Sequence, residues 1–134
     1  MTRSIAGELA RAVDTEAARE ARAGLAAAMI LEGGALRRVR IFDVGDEYIA
    51  LLGYAGSPDP EEERIAVSSG PNGEAASTRA TVLAAGEAVV PILGAESGVV
   101  IGTLDAEADG SRDLTPDDVS FLEDCAAVLR PLYD

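Results

Sequence analysis

The chain has no His, no Trp, no Lys and no Gln, and only one Cys. Without His there is no Ser-His-Asp or Cys-His catalysis and no zinc site built on imidazole. Without Lys there is no Walker-type phosphate loop, no Schiff base and no pyridoxal attachment. A lone Cys125 excludes an internal disulfide, a multi-thiolate metal site and a disulfide-built secreted domain. No apolar run approaches the ~20 residues that span a bilayer. The N-terminus, MTRSIAGELARAVD, carries Glu8 where a signal peptide would have its apolar segment, so the expected location is cytoplasmic. Aromatics are scarce at 4%, which leaves a core of small aliphatic side chains.

What is present is acid. Asp and Glu total 24 against 11 bases, all Arg, for a formal net charge of −13. Such a surface repels phosphate backbones and anionic lipid, so neither nucleic acid nor a membrane is an expected partner. Two explanations of the acidity stand side by side: a salt-rich cytoplasm that screens self-repulsion, and a GC-rich genome that favours Ala, Gly, Arg, Asp and Glu codons. The length of 134 residues suits one domain, here 1–134, with an N-terminal helical region over 1–34 and a sheet with middle and C-terminal helices over 35–134.

Residues 2–32 carry apolar positions at helical spacing, as one broken helix or two, ended by Gly33-Gly34. Leu36–Val44 alternates, with Val39 and Ile41 on one side and Arg38 and Arg40 on the other, as a strand with one wet face does. Gly45-Asp46 predicts a two-residue hairpin into Glu47–Tyr54, where Gly53 marks a bulge or a close approach. Ser57–Glu63 reads as a loop and Arg64–Ser68 as a short strand. Gly70–Gly73 reads as a break before a helix over Glu74–Ala85, closed by Gly86. Ala88–Leu93 is a strand whose Pro91 belongs at an edge or bulge. After a turn at Gly94–Gly98, Val99–Asp105 is the strongest core strand, and Ala106–Leu114 an acidic loop. Thr115, Pro116 and Asp118 open the last helix in near capping-box form, with Val119, Leu122, Cys125, Ala126 and Leu129 on its apolar face. Strands joined by short turns pair antiparallel, and the helices bury their stripes on the sheet.

Residues 88–129 resemble the closing part of a GAF domain. The pieces are Val90-Pro91-Ile92, the glycine turn, the strand Val100–Asp105, an acidic loop, and a helix with Asp118 and Leu122. The resemblance extends over roughly residues 20–130 and implies an α+β, profilin-like fold: an antiparallel sheet of five to six strands flanked by N-terminal, middle and C-terminal helices. Within that family the chain is most similar to the free methionine-(R)-sulfoxide reductases, with Glu87 before the Val-Val-Pro-Ile stretch and Asp105 and Glu107 as the acidic pair. In that subgroup such carboxylates hold the substrate's ammonium and cysteines reduce the sulfoxide. This chain lacks those cysteines and the segment that lids the pocket.

No catalytic residue is expected. The candidate ligand residues are Glu87, Asp105 and Glu107, as an anionic pocket for an amine, and Arg79 on a polar stretch with Ser77, Thr78 and Thr81. Each has a plainer reading as a solvated acid or a polar helix face. Asp105, Glu107, Asp109 and Asp113 alternate before and after Gly110 like half a calcium loop, but Pro116 stands where the bidentate Glu belongs, so this metal reading is the weaker one and no cofactor is expected. Arg38 and Arg40 face an anion, solvent, or Asp and Glu. Cys125 reads as an inert core thiol. The expectation is a non-catalytic GAF-like sensor or signalling domain that binds a small molecule and dimerises through its terminal helices. The alternatives are a degenerate reductase of that subgroup and a pocketless, roadblock-like interaction module.

Overall fold

The structure, a computed structural model, describes residues 5–57, 64–95, 98–110 and 112–134. The predicted 57–63 loop and the glycine turn at 94–98 lie partly outside these residues. The N-terminal region is two helices, α1 (Ala6–Val13) and α2 (Arg19–Gly33). The break is held by Arg22, whose guanidinium donates to the carbonyls of Val13 at 2.8 Å and Ala17 at 3.0 Å. The Val13 carbonyl is one that the end of α1 leaves without an intrahelical partner, and the Ala17 carbonyl lies in the connection before α2.

The strands are β1 (Leu36–Val44), β2 (Tyr48–Gly56), β3 (Arg64–Ala66), β4 (Val82–Ala84), β5 (Glu87–Leu93) and β6 (Val100–Ala108). They form one antiparallel six-stranded sheet in the order β3-β2-β1-β6-β5-β4. The expected α+β architecture is the observed one. The β1–β2 connection is three residues, Gly45–Glu47, rather than two. Gly53 fulfils both expectations. The β1–β2 register shifts beside it, between Ile41 and Phe42, and a Cβ there would lie 2.6 Å from the Gly24 nitrogen on α2. Helix and sheet therefore approach closely because no side chain stands between them.

Val39 and Ile41 of β1, Leu104 and Ala106 of β6, and Ala88, Val90 and Ile92 of β5 bury on one face against α1, α2 and helix α4 (Pro116–Val128). The predicted cap of α4 is complete: Thr115 Oγ1 accepts from the Asp118 amide at 3.1 Å, and Asp118 accepts from the Thr115 amide at 2.8 Å. A 3-10 turn, Arg130–Tyr133, follows, and its Tyr133 hydroxyl donates to the Phe42 carbonyl at 2.6 Å.

Two expectations are corrected. The middle helix, α3, runs from Gly70 to Thr78, not over 74–85. The glycines and proline read as a break are its first turn, where Pro71 forfeits no intrahelical bond. Arg79 ends it in a left-handed conformation at φ 60°. Thr81 and Val82 are β-branched and favour strand, and Val82 pairs with Val89, so Gly86, at φ 69°, turns a β4–β5 hairpin and caps no helix. The acidic loop also starts later than expected. β6 continues to Ala108 because Ala106 and Ala108 are buried and the Ala108 amide donates to Gly86 at 2.7 Å. Pro91 lies where β4 has already ended, on the open edge of β5, as predicted.

Candidate functional site

The second face of the sheet carries the polar residues. In the β1–β6 register Arg38, Arg40 and Phe42 stand opposite Glu107, Asp105 and Thr103, and opposed residues share a face. In the next pair Glu87 stands opposite Glu107, so all three candidate carboxylates, Glu87, Asp105 and Glu107, meet on this face beneath α3. The structure thus brings together the residues that the sequence reading singled out, and puts Asp105 and Glu107 inside a strand rather than in a loop.

Asp105 is 1% exposed and sits at the centre. Its Oδ2 accepts from Arg40 Nη2 at 2.5 Å and from Asn72 Nδ2 at 2.9 Å. Asn72 lies in the first turn of α3, and its Oδ1 accepts from the Thr103 hydroxyl at 2.7 Å. Arg40 also pairs with Glu87 at 3.6 Å. Glu107 pairs with Arg37 at 3.0 Å and with Arg38. Three guanidinium groups therefore lie against three carboxyl side chains, and the paired Arg of β1 face Asp and Glu rather than an anion. Such burial is tolerable because each charge has a partner.

The Asp105 Oδ1 is buried with no donor among the described residues. Glu87 is the neighbouring acid. Burial raises its pKa to about 8, helped by a side-chain hydrogen bond with Asp105 and by the negative charge of Asp105 and Glu107. Its surroundings thus favour the protonated form of Glu87 near neutrality.

Asn72 and Thr103 escape sequence reasoning. Asn72 sits in a stretch that reads as a chain break. Thr103, Asp105 and Glu107 do alternate along β6 as Arg38 and Arg40 do along β1, so the polar faces were legible, but the register that joins them was not.

The remaining candidates lie elsewhere. Arg79 is at the end of α3, exposed, and lines two clefts rather than joining the carboxylates. The Ser77 and Thr78 hydroxyls donate back to the Glu74 carbonyl, and Thr81 donates to Glu123 at 2.8 Å. Asp109 and Asp113 are exposed, while the Asp105 side chain is committed to Arg40 and Asn72. Among the described residues no group of three or more acids, Cys or His is arranged to hold a metal, and Ser111 of that loop lies outside them. Cys125, 2% exposed, lies on the other face of the sheet with Leu122 and Leu129. Burial, with the charge of Asp124, pushes its thiol to about 12. Such a thiol yields essentially no thiolate, the form that reacts.

One cleft opens on the polar face of the sheet. It has a volume of about 500 Å³ and is lined by Val44 and Asp46 beside the β1–β2 turn, Val67 and Ser68 after β3, Ser77 of α3, and Val100.

The sheet is antiparallel and six-stranded, with α1, α2 and α4 on one face and α3 over the polar cluster on the other. A scan against protein-family models matches none, and no curated protein matches the sequence. Solved structures do match. The GAF domain from Acinetobacter phosphoenolpyruvate-protein phosphotransferase superposes with a TM-score of 0.81 at 12% identity, covering 96% of this chain and 89% of that one. The free methionine-R-sulfoxide reductase from Neisseria meningitidis, solved with its substrate, gives 0.80 at 21% identity over 96% and 86%. The type II free methionine-R-sulfoxide reductase from Thermoplasma acidophilum gives 0.76 at 17% over 86% and 92%. The chain has the GAF fold. Its neighbours include both signalling domains and reductases, and a fold alone does not choose between them. No helix among the described residues is long and apolar enough to cross a membrane.

Proposed function

We propose that the chain is a non-catalytic GAF-type module that binds a small molecule on the α3 face of its sheet and acts as a homodimer. The observation that carries this reading is the cleft of about 500 Å³ on that face, a size within the ~300–1,000 Å³ usual for small-molecule sites. A pocketless interaction module has no use for it. One wall is α3, and Asn72 ties α3 to Asp105, so occupancy of the cleft and the state of the ion cluster are mechanically linked. The sole thiol is buried on the opposite face, which argues against the sulfoxide-reducing alternative. The apolar stripes of α1 and α4 are consumed inside the monomer. A dimer contact through the N-terminal region therefore uses the outer side of α2, where Leu25 is 53% exposed.

The test is thermal unfolding against a panel of amino acids, methionine sulfoxide, nucleotides, nitrate and calcium. A ligand at 100 times its dissociation constant adds about 2.7 kcal/mol, which raises the midpoint by roughly 3–8 °C. An amine-bearing ligand is expected to give this shift, and Asp105→Asn to reduce it. Incubation with methionine sulfoxide and a thiol reductant is expected to yield no methionine. A flat panel defeats the binding reading and leaves protein interaction. Sedimentation should show a dimer that Leu25→Glu dissociates.

A further inference from the structure

A second cleft, of about 410 Å³, runs along the outer side of β5 where β4 has ended, between the Arg79–Thr81 connection and α4. Its floor is apolar, with Val90, Pro91 and Leu93 from β5 and Ala127 from α4. An open strand edge ordinarily invites another strand. Here two features block that. Pro91 has no N–H to offer, and the Leu93 carbonyl already accepts from Arg130 Nε at 3.0 Å. The cleft therefore suits a compact molecule rather than an extended peptide.

Its charge runs against the rest of the chain. Arg19, Arg37, Arg38, Arg40 and Arg112 pair with carboxylates, Arg22 is spent on the Val13 and Ala17 carbonyls, and Arg64 lies over the Tyr48 ring. Arg79 and Arg130, which both line this cleft, pair with none among the described residues. The one acid present, Glu123, accepts from Thr81 and so fastens the α3–β4 connection to α4. Two guanidinium groups against one carboxylate, over an apolar floor, select a ligand in a protein of net charge −13. We infer that this edge cleft binds a small organic anion, an apolar body bearing a carboxylate, sulfonate or phosphate, with Arg79 and Arg130 as its anion-holding groups. This site is separate from the cleft proposed above: Arg79 reaches both, but Arg130 and Ala127 line only this one.

The probe is anilinonaphthalene sulfonate, with neutral phenylnaphthylamine as its uncharged counterpart, titrated by fluorescence and mapped on an assigned amide spectrum. The sulfonate is expected to bind more tightly than the neutral dye and to perturb the amides of Leu93, Thr81 and Ala127. Arg79→Gln and Arg130→Gln should each weaken it about tenfold, the loss of one charged hydrogen bond, and leave the neutral dye unaffected. Arg130→Gln also removes a backbone contact. Ala127→Glu, at an exposed position, therefore serves as the second variant and should abolish sulfonate binding with the unfolding midpoint unchanged. Equal binding of the two dyes, unaltered binding in the Arg79/Arg130 double variant, or perturbations centred on the β1–β2 turn would each overturn the inference.

Discussion

Asp105 is the residue on which the polar face turns. Its carboxyl holds Arg40 and α3 at once, and nothing near it is wet enough to replace either partner. Removing one member of a buried pair strands the other, so Asp105→Ala should lower stability by about 3 kcal/mol in urea unfolding. Glu107→Ala should cost less, about 1–2 kcal/mol, because its Arg37 partner is exposed although its Arg38 partner is mostly buried. Glu87 makes a pH prediction. Its folded pKa of about 8 lies above its unfolded value of 4.5. Between those values the folded state binds the extra proton, so this contribution is full below about pH 4.5 and is lost as pH rises through 8. The loss should be at least about 1 kcal/mol, seen as a midpoint falling by roughly 3–5 °C. Glu87→Gln should flatten that slope. A slope that survives the substitution would assign the proton to another group.

At the scale of elements, the contact of α2 with β2 depends on a missing side chain. Gly53→Ala would push a methyl into the backbone of Ala23 and Gly24 and should cost about 2 kcal/mol or more by chemical denaturation. Gly24→Ala meets nothing within 4 Å and sits inside α2, so it should stabilise by about 0.5–1 kcal/mol. Two Gly→Ala changes on facing segments would then have opposite signs, which propensity alone does not give. The same contrast explains α3. Its first turn is stabilised from outside, through Asn72 bonding to Thr103 and Asp105, although the stretch has the composition of a turn.

For the whole molecule, the ion pairs divide the charge in two. Three Arg and three acids are spent together on the sheet face beneath α3, so the rest of the molecule keeps the whole formal net charge of −13. The surface acids repel one another and salt relieves that, while the buried pair is screened little. The unfolding midpoint is therefore expected to rise by several degrees between ~0.1 M and ~1 M potassium chloride, where the Debye length shrinks from ~10 to ~3 Å. A midpoint unmoved by salt would make the acid excess a matter of codon bias.

The pattern of side chains along the chain was enough to determine the element types over most of its length. Alternation in Leu36–Val44, the cap at Thr115 and the glycine at 53 each encode a local geometry that needs no distant partner to be read. The resemblance of residues 88–129 to GAF domains and the choice of Glu87, Asp105 and Glu107 came from the same source. Tertiary structure decided the rest. Whether Gly70–Gly73 opens a helix or breaks one depended on what Asn72 meets across space, and whether Val82 continues a helix or pairs with Val89 depended on where β5 lay. That the three acids face three Arg of β1, rather than an empty pocket, followed from register, which local sequence does not carry because strand pairing joins residues ~65 positions apart. The two clefts are likewise products of how elements stop short of one another, since a cavity is the one feature that no residue encodes by itself.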